Sequence, residues 1–247
     1  MKYMGSKSRI AAEILPIILK DRTPEQYYVE PMVGGANVID KVTGNRLAGD
    51  KSKYLIALWK GLQNGNKREH RITKDLYDRA RTEFNNQSNH EFDDFSIGWI
   101  GFMASFNGRF FDGGYNGNYL KRDYTKESIS NVEKQVEAIR GIDFRHATYD
   151  ALEIPDRSII YCDIPYKNTK QYATSANFNH PVFWDWCRTA AAKGHSVFVS
   201  EYAAPDDFEC VWGKEVTNSM NTTKTTNPIE KLFRPSTHNN THRRGAR

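Results

Sequence analysis

The sequence predicts an α/β fold, a doubly wound and mostly parallel sheet with an inserted, mainly helical region. Three observations carry this. Short apolar runs alternate with helically periodic segments over the first 65 residues, the alternation returns from about residue 141, and the stretch between is polar and helical where it is periodic at all. With 38% hydrophobic residues and 17 glycines in 247, the chain has apolar material for a core and a length that suits one large domain carrying an insertion.

Taken in order, Ile10, Ile14, Ile17 and Ile18 recur at helical spacing, so a helix is expected over Ser6–Lys20 with Pro16 as its one dissonant residue. Tyr27-Tyr28-Val29-Glu30 reads as a short buried strand. It runs into the turn Pro31–Val38, whose Gly34 and Gly35 are expected to open a second helix. Arg46–Asp50 is the next strand, and Ser52 caps a helix bearing Tyr54, Leu55, Leu58, Trp59 and Leu62. Residues 66–140 form the insertion, broken by the segment Asn107–Tyr119, whose glycines and asparagines among aromatics read as a hairpin or loop. Strands follow at Ile142–Arg145 and Ser158–Cys162, then a helix at Pro181–Lys193 and a strand at Ser196–Ser200. Residues 1–65 and 141–235 therefore make the sheet-bearing part, and residues 236–247 a basic tail whose composition reads as disordered.

The net charge of +5 is weak evidence for a polyanionic partner, because Arg243, Arg244 and Arg247 of that tail supply three of the five charges. No apolar run approaches the roughly 20 residues that span a bilayer. The first residues lack an apolar leader, so no signal peptide and a cytoplasmic setting are expected. Cys162, Cys187 and Cys210 cannot all pair, and neither they nor the seven histidines show metal-ligand spacing, so no metal is expected.

Two segments carry chemistry. The first is Glu30-Pro31-Met32-Val33-Gly34-Gly35 with Asp50 at the end of the next strand. In a parallel sheet, ligands bind outside the carboxyl ends of the strands, glycines admit the ligand to the backbone, and an acid after the second strand accepts ribose hydroxyls. The spacing fits a nucleoside-containing cofactor but not a dinucleotide, because G-x-G-x-x-G is absent. A plain tight turn with Asp50 capping the next helix fits equally well. The second is Asp163-Ile164-Pro165-Tyr166, after the strand ending at Cys162. Asp163 and the Ile164 carbonyl are placed to accept both hydrogens of an exocyclic amine while Tyr166 stacks on its ring. Alone, this tetrapeptide is simply a turn.

The order of these segments resembles the D12 class of N6-adenine DNA methyltransferases, the Dam type with the α order of motifs, over most of residues 2–235. Tyr3-Met4-Gly5-Ser6-Lys7 is similar to that family's W-A-G-G-K, Tyr28–Gly35 to its F-x-E-P-F-x-G-G, and Gly49-Asp50 to the N-D that follows. Phe106-Asn107-Gly108 matches its F/Y-N-G, Asp163–Tyr166 stands at its D-P-P-Y, and Glu230-Lys231-Leu232-Phe233 resembles its closing E-K-L-F. The departures are Ile164 for the first proline, Tyr3 for tryptophan, Ser6 for glycine, and Arg109-Phe110-Phe111-Asp112 at the base-reading hairpin.

The resemblance implies a Rossmann-like methyltransferase fold and S-adenosylmethionine held by Tyr3, Lys7, Asp50 and Asp163, with Thr148 and Tyr149 flanking its adenine. It implies duplex DNA as partner, with the target base flipped into a pocket lined by Asp163, Pro165 and Tyr166, to which Ile164 contributes only its carbonyl. DNA contacts are expected from Asn107, Arg109, Tyr115, Asn118, Lys121 and Arg122, a region of local positive charge whose arginine and asparagine can make bidentate contacts to base edges. The recognition sequence stays open. Alternatives are transfer to RNA or to a glutamine amide, against which the motif order and the Asn107 segment speak. A catalytically silent DNA-binding relative is the other, against which Asp50, Asp163, Pro165 and Tyr166 speak.

Overall fold

The computed structural model describes residues 1–66, 70–87, 90–117, 123–167, 178–215 and 228–236. Asn118, Lys121, Arg122 and the tail beyond Ser236 therefore lie outside the described residues. Six α-helices are described: α1 (Ala11–Ile18), α2 (Lys53–Gln63), α3 (Lys74–Asn86), α4 (Asp94–Ala104), α5 (Tyr124–Glu133) and α6 (His180–Ala192). The described strands are β1 (Tyr28–Glu30), β2 (Arg46–Asp50), β3 (Ile142–His146), β4 (Ile159–Asp163), β5 (Ser196–Glu201), β6 (Phe208–Glu215) and β7 (Ile229–Pro235).

These strands form one sheet in the order β3-β2-β1-β4-β5-β7-β6. The first five are parallel, and β7 enters antiparallel between β5 and β6. The strand order reverses between β1 and β4, and in an open parallel sheet that reversal opens a crevice at the carboxyl ends. The Pro31–Val38 segment and the Asp163–Tyr166 turn leave the sheet on either side of it.

The central strands are buried on both faces, as a parallel sheet between helical layers requires. Tyr28, Ala48, Phe144, Tyr161 and Phe198 pack with α1, α2 and α4, while Val29, Leu47, Ile160, Cys162 and Val199 pack with Phe183, Trp184 and Cys187 of α6. The insertion brings α3, α4 and α5, and α4 lies in the same apolar cluster as α2.

Two expectations near the amino terminus are corrected. The first helix spans Ala11–Ile18 and not Ser6–Lys20, because Ser6 and Lys7 are irregular and Ser8–Ile10 is a turn. The expected second helix after Gly35 is a single 3-10 turn, Ile39–Lys41. Gly34 (φ +48°) and Ala36 (φ +52°) are left-handed, which breaks any helix that begins there. Strand β6 has no counterpart in the sequence reading: it is an edge strand of which only Phe208 is buried.

Candidate active site

The cofactor half of the site starts from backbone geometry. Beyond β1, Val33 N–H donates to the Gly49 carbonyl at 2.9 Å, folding the turn across the end of β2. Gly34 N–H then donates to Asp50 Oδ2 at 3.1 Å, and its carbonyl accepts from Trp59 Nε1 at 3.0 Å. The Tyr3 ring lies on this turn: a Cβ on Gly34 would sit 2.7 Å from Tyr3 Cε1, so both the space and the positive φ call for glycine. Asp50 Oδ1 accepts from Ser52 N–H at 2.9 Å, and Ser52 Oγ caps α2 through Leu55 N–H. Burial raises the Asp50 carboxyl above the ordinary range, against the pull of these two amides.

Asp50 also anchors the segment after β3. Its carbonyl accepts from Ala147 N–H at 3.1 Å, which brings Thr148 and Tyr149 to the rim. Thr148 is exposed, and Tyr149 stands edge-on to Phe183 (5.4 Å) and Trp186 (5.3 Å). Glu30 is buried below the turn, where it accepts from the Tyr28 hydroxyl at 2.9 Å and burial pushes its carboxyl well up.

The other half is the β4 turn. Lys7 Nζ lies 3.2 Å from Asp163 Oδ1, 3.1 Å from Glu230 Oε1 and 4.2 Å from the centre of the Tyr166 ring. Burial opposes the Lys7 charge, but Asp163 and Glu230 outweigh it and hold the ammonium above its ordinary pKa. The Asp163 carboxyl is raised by burial and lowered by Lys7, with burial prevailing, and Glu230 behaves alike. The Tyr166 hydroxyl donates to Glu230, and its ring meets Tyr202 edge-on at 4.6 Å. Tyr3 joins the halves: burial first, then the charges of Asp50 and Asp163, push its hydroxyl pKa far up.

Ile164 does more than present a carbonyl. Its side chain is 3% exposed and belongs to the apolar cluster under α6. Cys162 is buried in the same cluster, and desolvation raises its thiol pKa well above the ordinary value, as suits packing rather than nucleophilic chemistry.

On the insertion, the expected loop is closed by a single bridge between Ser105 and Tyr115. Gly108 (φ +65°) lies against the Lys2 backbone, where a Cβ would come within 2.3 Å of the carbonyl oxygen. Asn107, itself left-handed, is thereby fixed beside the segment that carries Tyr3. Arg109 pairs with Asp112 at 2.9 Å, and the Tyr115 hydroxyl donates to the Ile72 carbonyl at 2.8 Å.

The structure thus gathers Tyr3, Lys7, Gly34, Asp50 and Asp163 around one crevice. Glu230, named from sequence only within the closing E-K-L-F, also belongs to this neighbourhood, as do His180, Glu201 and Tyr202. The signal for Glu230 was available: it is an acid at an inward position of β7, on the face that carries Leu232.

The residues fit S-adenosylmethionine. A carboxylate offers about four acceptor sites, of which the amides of Gly34 and Ser52 take two at Asp50. Asp163 and Glu230 share the single ammonium of Lys7, a balance of groups suited to a cation. Among the described residues, no His, Cys, Asp and Glu cluster could hold a metal ion, and no helix is long and apolar enough to cross a membrane.

A family model described as D12 class N6 adenine-specific DNA methyltransferase matches residues 3–205. No curated protein matches the chain. Among solved structures, the crystal structure of SMU.472 complexed with SAH aligns with TM-score 0.39 at 12% identity, covering 94% of this chain. The chain spans 53% of that protein's length.

Proposed function

Because the chain belongs to the D12 class of N6 adenine-specific DNA methyltransferases, we propose that it transfers the methyl group of S-adenosylmethionine to N6 of an adenine in DNA. The cofactor supplies an activated methyl group on a sulfonium centre. Asp50 would hold its ribose hydroxyls, Thr148 and Tyr149 would flank its adenine, and Tyr3, Lys7, Glu30, Pro31 and Gly34 would form the wall and floor of its site.

The lone pair of adenine N6 is delocalised into the ring, so the nitrogen becomes nucleophilic only when its hydrogens are drawn out of plane. Asp163 and the Ile164 carbonyl are the two acceptors for them, and Pro165 stiffens the turn between acceptors and Tyr166. Asp163 acts as an orienting acceptor, and the amine proton leaves after transfer. Paired N6 is out of reach inside a duplex, so the base must be flipped, at a few kcal/mol offset by stacking on Tyr166. That ring now lies beneath Lys7, so a base reaching Asp163 displaces the ammonium from the ring face.

Residues 1–65 and 141–235 form the catalytic part in this reading. Residues 66–140 read DNA through Asn107, Arg109, Tyr115, Asn118, Lys121 and Arg122. The observation that carries the proposal is the half-buried Asp163 at the carboxyl end of β4, joined through Lys7 to Tyr166 and near enough to Tyr3 to act, with Asp50, on its hydroxyl. The test offers tritiated S-adenosylmethionine with duplex DNA, RNA and protein, with Asp163→Ala as control. Label in N6-methyladenine of DNA, lost in the variant, is expected. Label confined to RNA or protein, or undiminished by the variant, overturns the proposal.

A further inference from the structure

Any acceptor that must draw an amino hydrogen out of its ring plane has to be held firmly, because a shift of about 1 Å can cost a hundredfold in rate. The turn at Asp163–Tyr166 carries one proline, which fixes φ at residue 165 but leaves Ile164, whose carbonyl is the second acceptor, free of ring constraint. Something else must hold that peptide. Besides the buried Ile164 side chain, contacts from outside the turn hold the two peptides that follow, Pro165–Tyr166 and Tyr166–Lys167.

His180, the first residue of α6, brings its Nε2 to 2.8 Å from the Pro165 carbonyl oxygen. A carbonyl can only accept, so Nε2 carries the hydrogen. The His180 ring stands edge-on to Phe178 at 5.0 Å, with 13% of its side chain exposed. Glu201, the last residue of β5, is 2% exposed. Its Oε2 accepts from Lys167 N–H at 3.0 Å, its Oε1 accepts from Tyr202 N–H at 2.7 Å, and Oε2 lies 3.8 Å from His180 Nε2. Burying a carboxylate is costly unless it is hydrogen-bonded. Here both oxygens are spent on main-chain amides, one in the residue that follows Tyr166.

Resting on the adenine N6 reading above, we propose that His180 and Glu201 are positioning residues. They clamp the peptide from Pro165 to Lys167 between the start of α6 and the end of β5, and so aim the Ile164 carbonyl at the substrate amine. The precision of the turn comes from two rigid elements and not from its own ring chemistry.

The test compares His180→Phe, which keeps a ring against Phe178 but has no donor, with His180→Gln, which keeps an N–H donor. In the methyl-transfer assay, His180→Phe lowers kcat about tenfold with KM for both substrates changed less than about twofold, and His180→Gln recovers most of the loss. Amide hydrogen exchange read by mass spectrometry on the peptide covering residues 161–167 speeds up in His180→Phe and not in His180→Gln. Glu201→Gln, which replaces one acceptor oxygen with a donor, speeds exchange in the same peptide and gives the answer should His180→Phe fail to fold. Wild-type kcat and exchange in His180→Phe, or equal losses in the Phe and Gln variants, overturn the assignment. The exchange measurement decides it even if the wild-type protein methylates no adenine, an outcome that would count against the reading of function alone.

Discussion

Lys7→Met removes one charge and keeps most of the side-chain length, and its consequences follow from three atoms. The ammonium stands 3.2 Å from Asp163 Oδ1 and 3.1 Å from Glu230 Oε1. At an effective dielectric of about 20, each contact is worth about 5 kcal/mol of Coulomb energy, much of it offset by the cost of dehydrating three charged groups. Removing one partner of such a buried pair leaves the others uncompensated, and the net loss expected at pH 7.5 is about 3 to 5 kcal/mol of folding stability. The loss depends on pH in a definite sense. Asp163 and Glu230 are already raised by burial, and Lys7 is the group that lowers them, so in the variant their folded pKa values climb further. A carboxyl whose folded pKa exceeds its unfolded value contributes stability that is present below the unfolded pKa and is lost as pH rises through the folded one. The variant therefore regains stability relative to wild type on going from pH 7.5 to 5, by up to about 1.4 kcal/mol per pH unit for each proton taken up. Urea denaturation at pH 7.5, 6.5 and 5.5 measures the gap, with Lys7→Arg as the charge-retaining control. A gap below about 1 kcal/mol, or one that stays constant over this range, refutes the reasoning.

Asp50→Asn loses part of the charge-assisted bonding to the Gly34 and Ser52 amides, so equilibrium dialysis should show S-adenosylmethionine bound at least tenfold more weakly, with about 1 to 3 kcal/mol of stability lost in urea. Gly108→Ala should destabilise more than Gly34→Ala in the same assay: both have positive φ, but the first sets a Cβ against the Lys2 backbone and the second against a Tyr3 ring that can turn. If Lys121 and Arg122 contact phosphates, replacing both with alanine weakens DNA binding across all sequences. It also reduces the slope of log affinity against log salt by about 2. An unchanged slope removes them from the interface.

How much of this was legible in the sequence depended on whether the determining contact was local. Strand β2 was read to its exact ends because Gly49-Asp50 and the Ser52 cap punctuate it, and the cap bond to Leu55 is present. The crevice was legible because strand-end chemistry in a parallel sheet depends on sequence order. The helix expected after Gly35 failed for a local reason that composition hides: Ala36 adopts a left-handed conformation that nothing in its identity announces. Strand β6 escaped because an edge strand held by β7 needs no apolar alternation of its own. Non-local chemistry was illegible. Lys7 reaches Glu230 across nearly the whole chain, and His180 opens α6 while its ring turns back to the Pro165 carbonyl.

If Asp163 takes the substrate amine as proposed, the position of Glu230 keeps the Lys7 contact compatible with turnover. An ammonium paired only with Asp163 would have to lose its sole buried partner whenever an amine took that carboxylate, a cost of several kcal/mol set against every productive encounter. Glu230 lies as close to Lys7 as Asp163 does and also accepts from the Tyr166 hydroxyl. In the proposed reading, a base reaching Asp163 would remove one of two ion contacts and leave the charge held on β7, with the Tyr166 hydroxyl still donating to the same carboxylate. Ile164 fits the same logic from below, because its buried side chain ties the turn to the core beneath α6 in a way that a shorter proline ring at that position would not. Under that proposal, a turn held at Ile164, Pro165 and Tyr166 beside an ammonium with two carboxylate partners is the arrangement that a neutral, extruded amine requires.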